Sequence, residues 1–138
     1  MLRIDKRFID EIVAHTLEEA PNECCGLMSG SDHTVSKLYR ITNTLRSPIR
    51  YVMAPQEQLD AMLDSERNGL QVLIIYHSHT RGEAYPSQTD VRLAQQSGWL
   101  GDDVYYMLVG LRDIANPQVR AFHIQEDGTI AEEEFEVV

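Results

Sequence analysis

Gln71-Val72-Leu73-Ile74-Ile75-Tyr76-His77-Ser78-His79 is the stretch on which the fold depends. Its first part is aliphatic and rich in β-branched residues, which predicts a buried strand. Side chains two apart on a strand share a face, so His77 and His79 project together from its carboxyl end. In α/β sheets that end is where ligands usually sit.

Outward from this strand, helical and strand-like segments alternate. Downstream, a polar loop over 80–86 leads to Ser87, where a third helix begins and carries Val91, Leu93 and Ala94. Ser97-Gly98 closes it, and Trp99 follows in a polar loop. Val104–Gly110 is a strong strand signal. Val119–Ile124 is its hairpin partner, with Ala115-Asn116-Pro117 in the turn. Ile130–Val138 adds one last strand. Upstream, Pro55 opens a second helix that ends at Asn68-Gly69, with Leu59, Met62 and Leu63 as its apolar stripe. Arg50–Met53 reads as a short strand. Glu23–Gly30 and Val35–Thr44 form a hairpin around Ser31-Asp32-His33. Asp5 caps a first helix whose Phe8, Ile9, Ile12, Val13, Thr16, Leu17 and Ala20 make one apolar face, and Pro21-Asn22 stops it. Leu2–Ile4 is a short edge strand. Three helices interleaved with about six strands predict an α/β fold, a single domain over 1–138 with a mixed β-sheet.

The 138 residues suit one well-buried core. No stretch is apolar enough for a membrane span, and the N-terminus lacks a signal peptide's apolar core, so the expected location is cytoplasmic. A net charge of −10, from 22 acidic and 12 basic residues, excludes nucleic acid and anionic lipid as main partners. It reflects either a solubility trait, such as growth in high salt, or a basic or neutral protein partner. Cys24 and Cys25 are adjacent, which is poor geometry for a disulfide. No Cys-x-x-Cys pair exists, so a thiolate zinc finger is excluded. Reduced thiols fit the cytoplasm.

The chemistry lies in the joint arrangement of residues that are ordinary one by one. His-x-His alone is weak, and Ser87-x-x-Asp90 is also a capping box. Together, His77, His79 and Asp90 supply three ligands for a zinc ion and leave an open position, as in catalytic sites. Water acidified there needs a carboxylate that is not a ligand to collect and return its proton. It also needs a donor for the oxyanion. Ser87, one helical turn before Asp90, either caps the helix, donates to the oxyanion, or does both.

Glu23, then His77-x-His79, then Ser87 and Asp90 resembles the signature of the JAMM (MPN-plus) zinc isopeptidases, with every fixed position and spacing matched. The resemblance implies a compact, cytidine-deaminase-like α/β domain. It implies one zinc per chain on His77, His79 and Asp90, Glu23 as general acid/base and Ser87 as oxyanion donor. Glu23-x-Cys25-Gly26 and Tyr76-His-Ser-His-Thr, followed by Glu83-Ala84-Tyr85-Pro86-Ser87, are most similar to the small bacterial peptidases that process ubiquitin-like sulfur carrier proteins. These cut after a C-terminal Gly-Gly and release cysteine or a short extension. Thr80 stands where the family's deubiquitinases usually carry proline, and the chain has no room for their long insertions.

A Gly-Gly tail is thin enough to enter a narrow cleft and pair with a sheet edge. Thr80–Tyr85 are expected to line that cleft. Tyr85 either packs on the glycines or faces solvent. Trp99 either touches the carrier or anchors the core or a lid. Rival readings are a non-catalytic MPN interaction module, removal of a ubiquitin-like tag from lysine, a thiol peptidase using Cys24 or Cys25, and a nucleobase deaminase. The last lacks its His-x-Glu and Pro-Cys-x-x-Cys signatures. His15, His33 and His123 are read as structural or surface residues. The carrier's identity and the oligomeric state are not written in the sequence.

Overall fold

A computed structural model describes residues 1–138. The chain runs β1 (Leu2–Ile4), α1 (Lys6–Glu19), β2 (Cys25–Ser31), β3 (Thr34–Ile41), α2 (Pro55–Arg67), β4 (Gln71–His79), α3 (Gln88–Ser97), β5 (Tyr105–Gly110), β6 (Gln118–Ile124), β7 (Ile130–Glu133) and β8 (Phe135–Val137). It is an α/β fold of three helices on a mixed sheet, as expected. Asp5 caps α1 by accepting the Arg7 N–H at 2.9 Å. The β2–β3 hairpin turns through Asp32 and His33, both in the left-handed region.

The sheet order is β7-β6-β5-β4-β2-β3-β1-β8, which places β4 in the interior. β4 runs antiparallel to β2 and parallel to β5, and His77 stands opposite Cys25 and Leu108. Alternation along β4 divides its side chains between two cores. Ile74 and Tyr76 join the core that receives Phe8 and Ile12 of α1. Ile75 joins the other, with Ala61 of α2 and Ala94 of α3. His77 and His79 share the Ile75 face, so they emerge between α2 and α3.

Besides Leu2–Ile4, which is flanked by β3 and β8 and so is not an edge strand, three expectations are corrected. Arg50–Met53 is not a strand; only an isolated bridge joins Asn43 to Met53. The Asn43 side chain supplies what a ladder would. It donates to the Glu23 and Arg50 carbonyls at 3.0 and 2.9 Å, and accepts the Leu45 and Val52 N–H groups at 3.1 Å each. Ile130–Val138 is not one strand. β7 pairs with β6, and β8 pairs in parallel with β1 at the opposite edge of the sheet. Only Glu134 separates them, so the sheet curls until its edges lie within about 7 Å, the span of two extended peptide units.

The α2 stripe is the third correction. Leu59, Met62 and Leu63 are 49, 38 and 42% exposed. The helix instead packs through the small side chains of Ala61 and Ser65, and Ser65 Oγ meets Ser29 Oγ at 2.6 Å. Small residues one turn apart let the helix lie close to the sheet, which turns its larger side chains outward.

Candidate metal centre

The two prongs of β4 meet one carboxylate. His77 Nε2 lies 3.1 Å and His79 Nε2 3.0 Å from the same atom, Asp90 Oδ2. The two Nε2 atoms are 3.3 Å apart. Two nitrogen or oxygen ligands at about 2.0–2.1 Å from a tetrahedral zinc stand about 3.3 Å from each other. The triangle therefore has the size the ion requires, and its donor set is of the right kind. These are the residues that could hold a metal.

The three side chains are positioned in different ways, and His77 Nδ1 has no hydrogen-bond partner. His79 Nδ1 is 3.0 Å from the Glu83 carbonyl oxygen. The Nδ1–H donates there, which frees Nε2 as a lone-pair donor. The His77 ring is buried and stacks on Tyr51, with centroids 4.5 Å apart. Asp90 is positioned by the start of α3. Its N–H donates to Ser87 Oγ at 3.0 Å, and the Ser87 N–H donates to Asp90 Oδ2 at 2.8 Å, a complete capping box. The cap and the cluster are thus one structure: the oxygen that closes the box also faces both histidines. Ser87 Oγ spends a lone pair on the cap and keeps its own hydrogen to donate.

Electrostatics follow from this packing. Burial pushes the Asp90 carboxyl up, but His77, His79 and the Ser87 N–H outweigh it and hold the group well below the usual carboxylate range. Burial pulls His79 down, and the bond and charge of Asp90 prevail to raise it. Glu23 sits just before β2, where its N–H donates to the Ser47 carbonyl at 2.8 Å. The residue is 4% exposed, and its Oε1 has no hydrogen-bond partner. Burial pushes its carboxyl up to about 7, with Asp90 adding to the rise and both site histidines opposing it. A carboxyl titrating near neutrality beside a metal-ligand cluster is suited to proton transfer.

The other expectations sort as follows. Cys24 and Cys25 are buried, and burial pushes both thiols up, which leaves no ready thiolate for nucleophilic attack. Tyr85 is half exposed, with its ring edge on Phe122 and the Arg120 guanidinium over its face. Trp99 is half buried between α2 and α3, near Met53, Leu93 and Tyr106. The outer strands of the sheet are β7 and β8, and β4 lies in its interior. His15 is buried, bonded to Tyr76 Oη at 2.8 Å, and also lines a cavity beside Glu23.

Sequence reasoning missed Tyr51 and Gly110. Nothing in Arg50–Met53 marks its tyrosine as the platform under His77. Gly110, at the end of β5, sits under the loop after β4. A Cβ there would come within 2.5 Å of the Ala84 nitrogen and 2.9 Å of the Glu83 carbonyl carbon. A glycine ending a strand beside the His-x-His strand was the one available signal.

Comparison with known proteins identifies the family. The family described as prokaryotic homologs of the JAB domain matches residues 5–125. The CysO-cysteine peptidase of Mycobacterium tuberculosis is 36% identical over 140 residues, covering 100% of this chain and 92% of its own. A probable TtuB-protein conjugate cleaving protease of Thermus thermophilus is 35% identical over 132 residues, covering 95% and 81%. A solution structure from Desulfitobacterium hafniense superposes with a TM-score of 0.85 at 33% identity, covering 100% and 93%. This chain belongs to the prokaryotic JAB-domain family.

Proposed function

We propose that this chain is a zinc peptidase that hydrolyses the bond after the C-terminal Gly-Gly of a ubiquitin-like sulfur carrier protein and releases cysteine or a short extension. One observation carries the reading: three donor atoms converge at 3.0–3.3 Å at the carboxyl end of β4, beside a buried, unpartnered Glu23 carboxyl oxygen. The named activities of the Mycobacterium and Thermus relatives support the substrate class.

His77, His79 and Asp90 would hold the ion. Zinc bound there supplies a Lewis acid and brings the pKa of water to about 7. Glu23 takes the proton from the attacking water and returns it to the leaving nitrogen as the C–N bond breaks, so the products are a carrier carboxylate and a free amine. Its buried carboxyl suits both halves of that exchange. The Ser87 hydroxyl hydrogen, not spent on the cap, donates to the oxygen that gains negative charge. An intact ligand triangle argues against a purely structural MPN module.

The deciding experiment incubates zinc-loaded protein with carriers extended past Gly-Gly and weighs the products by mass spectrometry. Cleavage after the second glycine, abolished by chelator and by Glu23→Gln, is the expected result. Uncut carriers with full zinc occupancy would overturn the reading.

A further inference from the structure

Glu23 has a second side. A cavity of about 490 Å³ is lined by Glu23 but by none of His77, His79 and Asp90, and lies between the end of α1 and the residues after it (His15, Glu19, Asn22) and the exit from β3 (Arg40, Arg46). The volume falls in the range of about 300–1,000 Å³ typical of small-molecule sites. Its two arginines differ. Arg40 is committed, paired with Glu11 and Glu18 of α1. Arg46 has no ion pair and no side-chain hydrogen bond, and its backbone is held in the left-handed region at φ 46°.

We propose that this cavity is the leaving-group pocket, and that it takes a single amino acid whose free α-carboxylate is held by Arg46. The inference rests on the reading above that Glu23 protonates the leaving nitrogen. That nitrogen must come within hydrogen-bond reach of the Glu23 carboxyl, so the residue it belongs to stands against Glu23. Glu23 forms part of the wall of this cavity. In a released amino acid the carboxylate lies one carbon from that nitrogen, so it enters together with it. An uncommitted guanidinium presents the planar fork that matches a carboxylate. A lysine side chain joined through its ε-nitrogen brings no carboxylate to this place. The pocket therefore favours trimming of a one-residue extension over release of a tag from lysine.

The test compares three substrates on the same carrier. One ends in Gly-Gly-Ala with a free carboxylate, one in the same sequence as a carboxamide, and one has Gly-Gly joined to the ε-nitrogen of a lysine peptide. The enzymes are wild type, Arg46→Asn, which tolerates the left-handed backbone, and Arg46→Lys, which keeps the charge. Wild type is expected to show kcat/KM about tenfold or more higher for the acid than for the carboxamide, as befits a charged hydrogen bond. Arg46→Asn should erase that preference, and Arg46→Lys should restore part of it. Equal wild-type rates on acid and carboxamide, or a preference that survives in Arg46→Asn, would overturn the pocket assignment and leave the Gly-Gly reading standing. Failure of zinc-loaded wild type to cut any substrate would sink both. Zinc content and thermal unfolding show whether each variant is folded. If Arg46→Asn is not, the wild-type comparison and Arg46→Lys decide.

Discussion

Glu83 offers its backbone carbonyl to His79 Nδ1 at 3.0 Å, so a loop with no ligand of its own sets which histidine nitrogen faces the cluster. That loop rests on Gly110. It is also tied down by the Arg112 N–H donating to the Gly82 carbonyl at 3.2 Å and by an Arg112–Glu83 ion pair. Ala84, beside it, is fully buried.

Gly110→Ala puts a methyl 2.5 Å from the Ala84 nitrogen, and the loop must lift. Losing an outer hydrogen bond to a ligating histidine typically costs about 10–100-fold in metal affinity. The expected outcome is a drop of that size in a chelator competition, with far-ultraviolet circular dichroism unchanged. Unaltered zinc affinity would show that the loop does not orient His79.

Asp90→Ala removes a ligand and half of a capping box together. Zinc content by mass spectrometry should fall to background, and the helix start should lose about 1 kcal/mol in denaturant unfolding of the metal-free protein. Asp90→Asn separates the two effects, because asparagine can still accept the Ser87 N–H while no longer offering a carboxylate.

Glu23→Gln should retain zinc and lose about 10²–10⁴-fold in kcat. It also carries a pH signature. The folded carboxyl titrates near 7, against an ordinary glutamate value of about 4.3. Between those values the folded state holds a proton that the unfolded state has released, so wild-type stability falls as pH rises through this window. The metal-free Gln variant lacks that decline. Relative to wild type it should gain up to about 3 kcal/mol between pH 4 and pH 8, measured by urea unfolding. Parallel stability profiles would mean that Glu23 is not held protonated by burial.

Trp99 borders the apolar cleft between α2 and α3, and its carbonyl accepts the Tyr106 hydroxyl at 2.9 Å. If it grips the carrier, Trp99→Ala should raise KM for the intact carrier about tenfold and leave cleavage of a short Gly-Gly peptide unchanged. If it anchors the fold, the unfolding temperature drops instead. A variant with neither change would remove both roles.

The sequence made legible what is local. The apolar run ending in His77-Ser78-His79, the Asp5 cap and the β2–β3 turn are signalled within a few residues, and each is found in the structure. Ser87-x-x-Asp90 posed a choice between helix cap and ligand that Asp90 Oδ2 dissolves by facing both ways. What stayed hidden depends on distant partners. β8 needs β1, from the opposite end of the chain. The outward turn of Leu59, Met62 and Leu63 follows from Ala61 and Ser65 fitting closely to β2 and β4, which helical periodicity alone does not convey. Among 22 acidic residues Glu23 is singled out in the sequence by the family resemblance alone, and its burial is what the structure adds.

The hand-over from β7 to β8 across Glu134 makes the curled sheet behave like a hoop fastened by its own end. The fastening is completed at Val138, whose N–H donates to the Ile4 carbonyl at 2.9 Å and whose carbonyl accepts the Lys6 N–H at 3.0 Å. A protease cut after Glu134 would unbuckle it and leave β1 with a bare row of peptide groups, a template for a neighbour's strand. Clipped molecules should then associate into larger species on a sizing column while the His77–His79–Asp90 cluster, on the far side of the hoop, keeps its capacity to bind zinc.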